Sequence, residues 1–401
     1  MNPVVGLDVA KGESQVQAFL DQSKPYGKSF SMKHIKEELE HFLEFLKEIE
    51  EVTGQMPMVI LESTGHDHSP VIQFLEEQGV LYILLNPIIS YQAKKSSLRK
   101  VKTDAIDAYQ LCVLYYKEDL EPHKIRGIQL LDLRNLSRQQ EILTNMYVEA
   151  KLQFHTILDQ VFPEYRKVFG DLYSRVSLLI LKEYPTSEAV LAAGESKLAE
   201  SVIEFCPSRS GQWAWEKAKK IMDSASRNPF QINVYQSHVI NLRMYIELLF
   251  HYQGHLSELE DRIVALANEL VEQYKIIQSI LGIGEKIAAT IISEIGEIDR
   301  FNHPKKLVAF AGVDPSVHSS GKFTATINRI TKRGSSRLRH SPYLAVLCGI
   351  RSSRNKKLKA FYDKKKSEGK PAKVSLVACM NNLLHWIYAL LKRKEAFLDL
   401  A

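Results

Sequence analysis

Two hydrophobic periods alternate along the first 85 residues. Val4–Val9 is a continuous apolar run, and Ser14–Leu20 alternates through Gln15, Val16, Gln17 and Ala18. Both patterns predict strands, and Gly27–Met32 is placed to be a hairpin partner. From about Lys33 to Val52 the apolar residues Ile35, Leu39, Phe42, Leu43, Phe45 and Leu46 fall near the helical spacing. A strand at Met58–Glu62, a helix at Ser69–Gln78 and a strand at Val80–Leu85 follow, then a turn at Asn86-Pro87. Two much longer helical patterns come next. One runs from about Gln129 to Phe162 and the other from about Tyr235 to Tyr274. Their simplest arrangement is an antiparallel pair closed by shorter helices near residues 163–234, where Pro163, Pro185, Pro207 and Pro229 punctuate the chain.

The early order, strand-strand-strand-helix-strand-helix-strand-helix, is that of a ribonuclease-H-like domain. The expected fold class is therefore α/β plus α. Residues 1–125 form the α/β domain, 126–275 a helical scaffold or oligomerisation device, and 276–401 a mainly helical C-terminal domain. Ile276–Ile298 has the form of a helix-hairpin-helix. Gly282 and Gly284 allow a tight turn there, and the amides that open the next helix can hold a phosphate. An amphipathic helix, Val374–Leu391, closes the chain before Lys392-Arg393-Lys394.

Composition narrows this little. The 401 residues are 45% hydrophobic and 25% charged, with a net charge of +6. That is ordinary globular protein with a mild lean toward polyanions. Cys112, Cys206, Cys348 and Cys379 are scattered, with no CxxC, and read as buried thiols in a reducing compartment rather than zinc ligands or disulfides. No signal peptide and no uninterrupted apolar span is evident, so the expectation is a cytoplasmic protein without a membrane partner.

The candidate chemistry lies in four acids. Asp8 ends the first apolar run and Glu62 ends the run Met58–Leu61. Asp104 and Asp107 lie in Lys102-Thr103-Asp104-Ala105-Ile106-Asp107-Ala108. If Thr103 caps a helix, both aspartates occupy its first turn on one face, where the cap and dipole suit them in any case. Beside acids at two strand ends, they form a donor set for a hard divalent cation, Mg²⁺ or Mn²⁺, as phosphate chemistry requires. Lys94, Lys95, Arg99, Lys100 and Lys102 lead into that helix as a basic run suited to backbone phosphates. Ser320 precedes Gly321 and Lys322 in an expected loop, and a serine there is by itself only a turn residue. The cations that flank it, among them Lys332, Arg333, Arg337 and Arg339, are denser than casual surface charge. Three classes of protein remain compatible with these features: a phosphoryl-transfer enzyme acting on DNA, a non-catalytic nucleic-acid-binding protein, and an actin-like kinase. The kinase lacks a good phosphate loop, because Val9-Ala10-Lys11-Gly12-Glu13 follows the first-strand Asp8.

GLDVAK, LESTG, KTDAIDA, LGIGEKIAATIISEIG, AGVDPSVHSSGK, ITKRGSSRLRH and GKPAKVSLVACMNNLLHWIYALL, in that order, resemble the DEDD-type transposases of the one-hundred-and-ten family of insertion sequences. The resemblance covers nearly the whole chain. It implies a RuvC-type N-terminal domain, a coiled-coil insertion and a C-terminal transposase domain. It also implies recombination guided by a structured noncoding RNA of the element, the bridge RNA, which pairs with donor and target DNA. The DEDD acids would be Asp8, Glu62, Asp104 and Asp107. The nucleophile would be Ser320, with Ser319 adjoining it. A site completed between subunits would require a homodimer or tetramer. The rival within this reading is a metal-dependent junction nuclease that forms no covalent intermediate.

Overall fold

The structure is a computed structural model, and it describes residues 2–63, 65–85, 103–118, 128–230, 235–316, 319–320, 323–324, 329–351 and 355–398. The chain divides into two compact units, residues 1–127 and 128–401. The first unit is built on a five-stranded sheet. Strands β1 (Val4–Ala10), β2 (Glu13–Asp21) and β3 (Lys24–Lys33) precede helix α1 (Lys36–Thr53). Then come β4 (Met58–Glu62), α2 (Ser69–Glu77), β5 (Tyr82–Leu85) and α3 (Asp104–Lys117). The sheet order is β3-β2-β1-β4-β5. β1–β2 and β2–β3 pair antiparallel, and β1–β4 and β4–β5 pair parallel.

β1 reads as an unbroken apolar run because both its faces are covered. On one face Val5, Leu7, Val59 and Leu61 pack with Phe42 and Leu46 of α1 and with Val71 and Leu75 of α2. On the other, Val4, Ile60 and Ile83 pack with Leu111, Cys112 and Leu114 of α3. α3 lies so close to the sheet that a Cβ on Gly6 would stand 2.3 Å from the Ala108 carbonyl oxygen and 2.9 Å from Cys112 Sγ. Glycine in this strand is therefore a packing requirement.

The second unit is helical. Its two long helices are α4 (Ile128–Val161) and α8 (Gln236–Glu269), and α5 (Arg175–Glu183), α6 (Ser187–Phe205) and α7 (Gly211–Ser226) lie between them in sequence. The bonds Gln129 Nε2 to Glu269 Oε2, 3.2 Å, and Gln253 Nε2 to Tyr147 Oη, 2.9 Å, show the long pair to be antiparallel. One end of the pair closes a core with the short helices, through Phe154, Leu158, Leu181, Val202, Ile221 and Leu249. The other end, through Leu130, Leu133 and Ile263, enters a second core. This core is shared with α9 (Val271–Gln278), α10 (Glu285–Ile295), α11 (Pro304–Ala311), α12 (Ser336–Arg351), α13 (Lys356–Ser367) and α14 (Ala372–Arg393). Between α11 and α12 lie the two-residue strands β6 (Ser319–Ser320) and β7 (Phe323–Thr324). Among the described residues α14 is the one helix long and apolar enough to cross a membrane. Here it buries Cys379, Met380, Leu383, Leu384 and Ile387 in the C-terminal core.

Candidate active site

Parallel pairing of β1 with β4 registers Gly6 with Ile60 and Leu7 with Leu61. Asp8 and Glu62 are the next residues along these two neighbouring strands. Side chains two apart share a face, so Asp8 and Glu62 continue the face of Gly6 and Ile60 that α3 covers. Tyr115 Oη donates to Asn2 Oδ1 at 3.0 Å and Tyr116 Oη to the Asn2 carbonyl at 2.6 Å. These bonds fix the C-terminal end of α3 beside the start of β1, so the helix runs against the strand. Its first turn therefore lies at the end of β1. From the Gly6–Ala108 contact, two strand residues advance about 6.6 Å to Asp8. Four helix residues retreat about 6 Å to Asp104, so the two acids stand at one level.

Thr103 caps α3: its Oγ1 accepts from the Ile106 amide at 3.3 Å. Asp104 is exposed, Asp107 is buried, and Asp8 and Glu62 are half-buried. The fold thus places Asp8 and Glu62 at the same end of two adjoining strands, and Asp104 and Asp107 in the first turn of the helix that covers that face. All their donors are carboxylate oxygens, the chemistry that suits Mg²⁺ or Mn²⁺. Among the described residues, however, no three His, Cys, Asp or Glu side chains gather closely enough to hold a metal ion.

Ser320 belongs to the second unit. The structure replaces the expected loop with strand: Ser319 pairs with Thr324 and Ser320 with Phe323. The stem of this hairpin is tied by Ser316 N to Arg329 O, 2.8 Å, Thr331 N to Asp314 O, 2.9 Å, and Thr331 Oγ1 to Asp314 Oδ1, 2.6 Å. The return segment then presses on the end of α11. A Cβ on Gly334 would lie 1.9 Å from the Phe310 carbonyl oxygen, and Ser335 N donates to that oxygen at 2.7 Å.

Four of the predicted cations can be placed. Lys332 and Arg333 are exposed. Arg337 is ion-paired with Glu141 of α4, and Arg339 Nη1 donates to the Ala311 carbonyl at 3.1 Å. Lys94, Lys95, Arg99, Lys100, Lys102 and Lys322 lie outside the described residues. The turn with Gly282 and Gly284 separates α9 from α10. Gly282 has φ +105°, and a Cβ there would meet Ala345 O, Gly349 Cα and Gly349 N, each at 2.9 Å. Close packing on α12 is thus the reason for a glycine at 282, whereas Gly284 is exposed at the start of α10.

Sequence reasoning passed over one buried charge. Glu294 of α10 is 1% exposed. Arg138 of α4 grips it with Nε to Oε1 at 2.9 Å and Nη2 to Oε2 at 3.3 Å. Ser335 Oγ donates to its Oε2 at 2.9 Å, and Arg134 Nε stands 3.8 Å from Oε1. Burial alone would raise this carboxyl, but the Arg138 bonds, the two arginine charges and Ser335 outweigh it and hold it below its usual range. A glutamate among the apolar positions of Ile-Ala-Ala-Thr-Ile-Ile-Ser-Glu-Ile was the available signal. Nearby, Arg300 has its guanidinium 4.7 Å from the Phe301 ring centroid and 4.4 Å from that of Phe310. Burial and the Arg134 charge bring Arg300 down to about 10.

A strand-end pair of acids facing a helix that begins with two more is the arrangement expected of the DEDD pattern. Comparison with known proteins agrees. One family model, described as "Transposase" and built on DEDD transposases of IS110, matches residues 5–163. A second, "Transposase IS116/IS110/IS902 family", matches residues 274–363. The transposase for insertion sequence element IS1111A of Coxiella burnetii is 31% identical over 157 residues, 38% of this chain and 42% of that protein. The pilin gene-inverting protein of Moraxella bovis is 26% identical over 150 residues, 37% of this chain and 46% of that protein. The insertion element IS900 uncharacterized 42 kDa protein of Mycobacterium paratuberculosis is 23% identical over 323 residues, 79% of this chain and 77% of that protein. The chain spans less than half the length of the first two of these relatives. It belongs to the IS110 family of transposases.

Proposed function

We propose that this protein moves an insertion sequence by exchanging DNA strands. The observation that supports the proposal is the placement of Asp8 and Glu62 at the C-terminal ends of the adjoining strands β1 and β4, on the face covered by the helix that begins with Asp104 and Asp107. The family models that match both units and the gene-inverting relative support a recombinase over a plain nuclease. In this reading Ser320 Oγ attacks a backbone phosphorus. An Oγ–P bond forms, the P–O3′ bond breaks, and the 3′ oxygen leaves as a hydroxyl with the proton that Oγ gave up. The resulting 5′-phosphoserine conserves the bond energy, so a 3′-hydroxyl of the partner strand reverses the step and joins new ends.

The four acids would hold Mg²⁺, which when bound supplies positive charge to the phosphorane. Exposed Arg333 and Lys332, close in sequence to the serine hairpin, bind the phosphate backbone. The donor and target DNA are recognised through a structured RNA of the element, and subunits pair as a homodimer or tetramer to complete the exchange.

The test is a covalent adduct. Wild-type protein given the element's RNA, Mg²⁺ and its DNA ends should yield protein–DNA that survives denaturation and vanishes on protease treatment. Ser320→Ala should lose adduct and product together while still binding nucleic acid, and Ser319→Ala should keep both. Free DNA ends with no adduct in the wild type would instead identify water as the attacking group and the protein as a junction nuclease.

A further inference from the structure

The hairpin that carries Ser320 hangs on a short stem, residues 314–316 against 329–331, and that stem needs an anchor. Its return segment turns sharply at Lys332, where φ is +55°, and Lys332 N donates to Gly312 O at 3.1 Å. It ends at Ser335, whose Oγ has two tasks. It accepts from Leu338 N at 3.1 Å, which opens α12, and it donates to Glu294 Oε2 at 2.9 Å. Glu294 is in turn held by Arg138 from the long helix α4. One buried carboxylate therefore joins the long helix, α10 and the start of α12 at the residue where the serine hairpin returns to the body.

Resting on the strand-exchange reading above, we infer that Glu294 is a positioning residue. Through Ser335 it sets the stance of the 329–335 segment, and so of Ser320 and Arg333, relative to the helical body. A mere stability role would need only the ion pair with Arg138. It would not need the hydroxyl of a residue that also caps α12 and closes the hairpin. Replacing Glu294 with glutamine removes the charge that draws both Arg138 and Ser335. Replacing Ser335 with alanine removes only the link, and Ser335→Thr retains a hydroxyl in place.

The experiment uses the full-length chain and two readouts. The first is amide hydrogen exchange, which reports positioning without any reaction. Glu294→Gln and Ser335→Ala should exchange faster at residues 314–316 and 329–335, while the cores of α10 and α12 remain as protected as in the wild type. The second is mobility of the element in cells, scored as recombinants from a plasmid carrying it with its flanking DNA. Both variants should lose on the order of 100-fold, as a misplaced reacting group does. Their salt-dependent binding of random duplex DNA should be unchanged, and Ser335→Thr should restore mobility. Glu258→Gln, an exposed partner of Arg262, is the control. Wild-type exchange at 314–316 and 329–335, loosening spread evenly over the second unit, or full mobility of Ser335→Ala would each overturn the inference. If the wild type gives no recombinants, the strand-exchange reading fails, and the exchange pattern alone decides the role of Glu294.

Discussion

Single residues set the geometry at several points, and Gly6 is the plainest. An added methyl would enter the Ala108 carbonyl at 2.3 Å, and backbone cannot rotate away as a side chain can. Gly6→Ala should lift α3 from β1 and destabilise the first unit by roughly 1–3 kcal/mol, visible as a lowered melting temperature. Because Asp104 and Asp107 ride on that helix, activity should fall further than stability does. Glu294 gives a pH signature. Its folded carboxyl lies below the ordinary value of 4.5. Its contribution to stability is therefore fully present above the unfolded value and is lost as pH falls through the lower folded one. Wild-type stability should therefore decline in acid below about pH 4.5 more steeply than that of Glu294→Gln, measured by denaturant titration. Truncation to alanine strips half-buried Arg138 and Ser335 of their shared acceptor and should cost about 1–3 kcal/mol at neutral pH. A flat acid profile in the wild type would remove the carboxylate from this role. Of the four thiols expected to be buried, Cys112 and Cys379 are, whereas Cys206 is half-buried and Cys348 exposed, since each takes its exposure from the helix face or end on which it falls. Burial raises the Cys112 thiol to about 12, so disulfide reagents at neutral pH should modify exposed Cys348 and spare Cys112.

At the scale of elements, α3 shows what capping does for a site. The Thr103 hydroxyl fixes where the helix begins, and so where Asp104 and Asp107 project. Thr103→Ala should cost about 1 kcal/mol and fray the first turn. The expected result is a weakened metal affinity, with more Mg²⁺ needed for half activity and a melting temperature lowered by only a few degrees. Unchanged Mg²⁺ dependence would mean that packing on Gly6 alone places the acids.

This helix was legible in the sequence, because a Thr-Asp start and the apolar residues behind it are local signals. So were β1 and β4, whose runs end in Asp8 and Glu62. The Arg138–Glu294–Ser335 junction was not, since its members are 156 and 41 residues apart and no local pattern joins them. The cations behave likewise. From sequence Arg337 and Arg339 count equally with Lys332 and Arg333, yet the fold engages Arg337 with Glu141 and Arg339 with a carbonyl. Density of charge reads off the chain; which charges remain for a partner depends on packing. The glycine turn at 282–284 behaves likewise, because the α12 residues that approach Gly282 are Ala345 and Gly349, far along the chain.

On the scale of the whole molecule, the proposed strand exchange requires charge compensation and a nucleophile, and the residues proposed for these roles belong to separate units. The acids are in the first and Ser320 is in the second. Each half should then be separable by mutation. Asp8→Asn, Glu62→Gln or Asp104→Asn should each lower strand exchange by on the order of 100-fold or more, since a positioned charge lost from a phosphoryl transition state costs that much. Their binding of nucleic acid should be preserved, because affinity there rests on exposed cations and weakens with salt in all variants alike. Independently of activity, calorimetric titration of wild-type protein with Mn²⁺ should show a site that Asp8→Asn loses and Ser320→Ala retains. Ser320→Ala should lose strand exchange as completely as the acid variants. If the two halves act at one reaction centre, mixing Asp8→Asn with Ser320→Ala in one assembly distinguishes the source of each part. Restored exchange in the mixture would mean that one subunit supplies the acids and another the serine. No restoration, with each variant still assembling with wild type, would mean that every subunit must bring both. Full activity of Glu62→Gln, or of the wild type in EDTA, would remove the acids from the chemistry altogether.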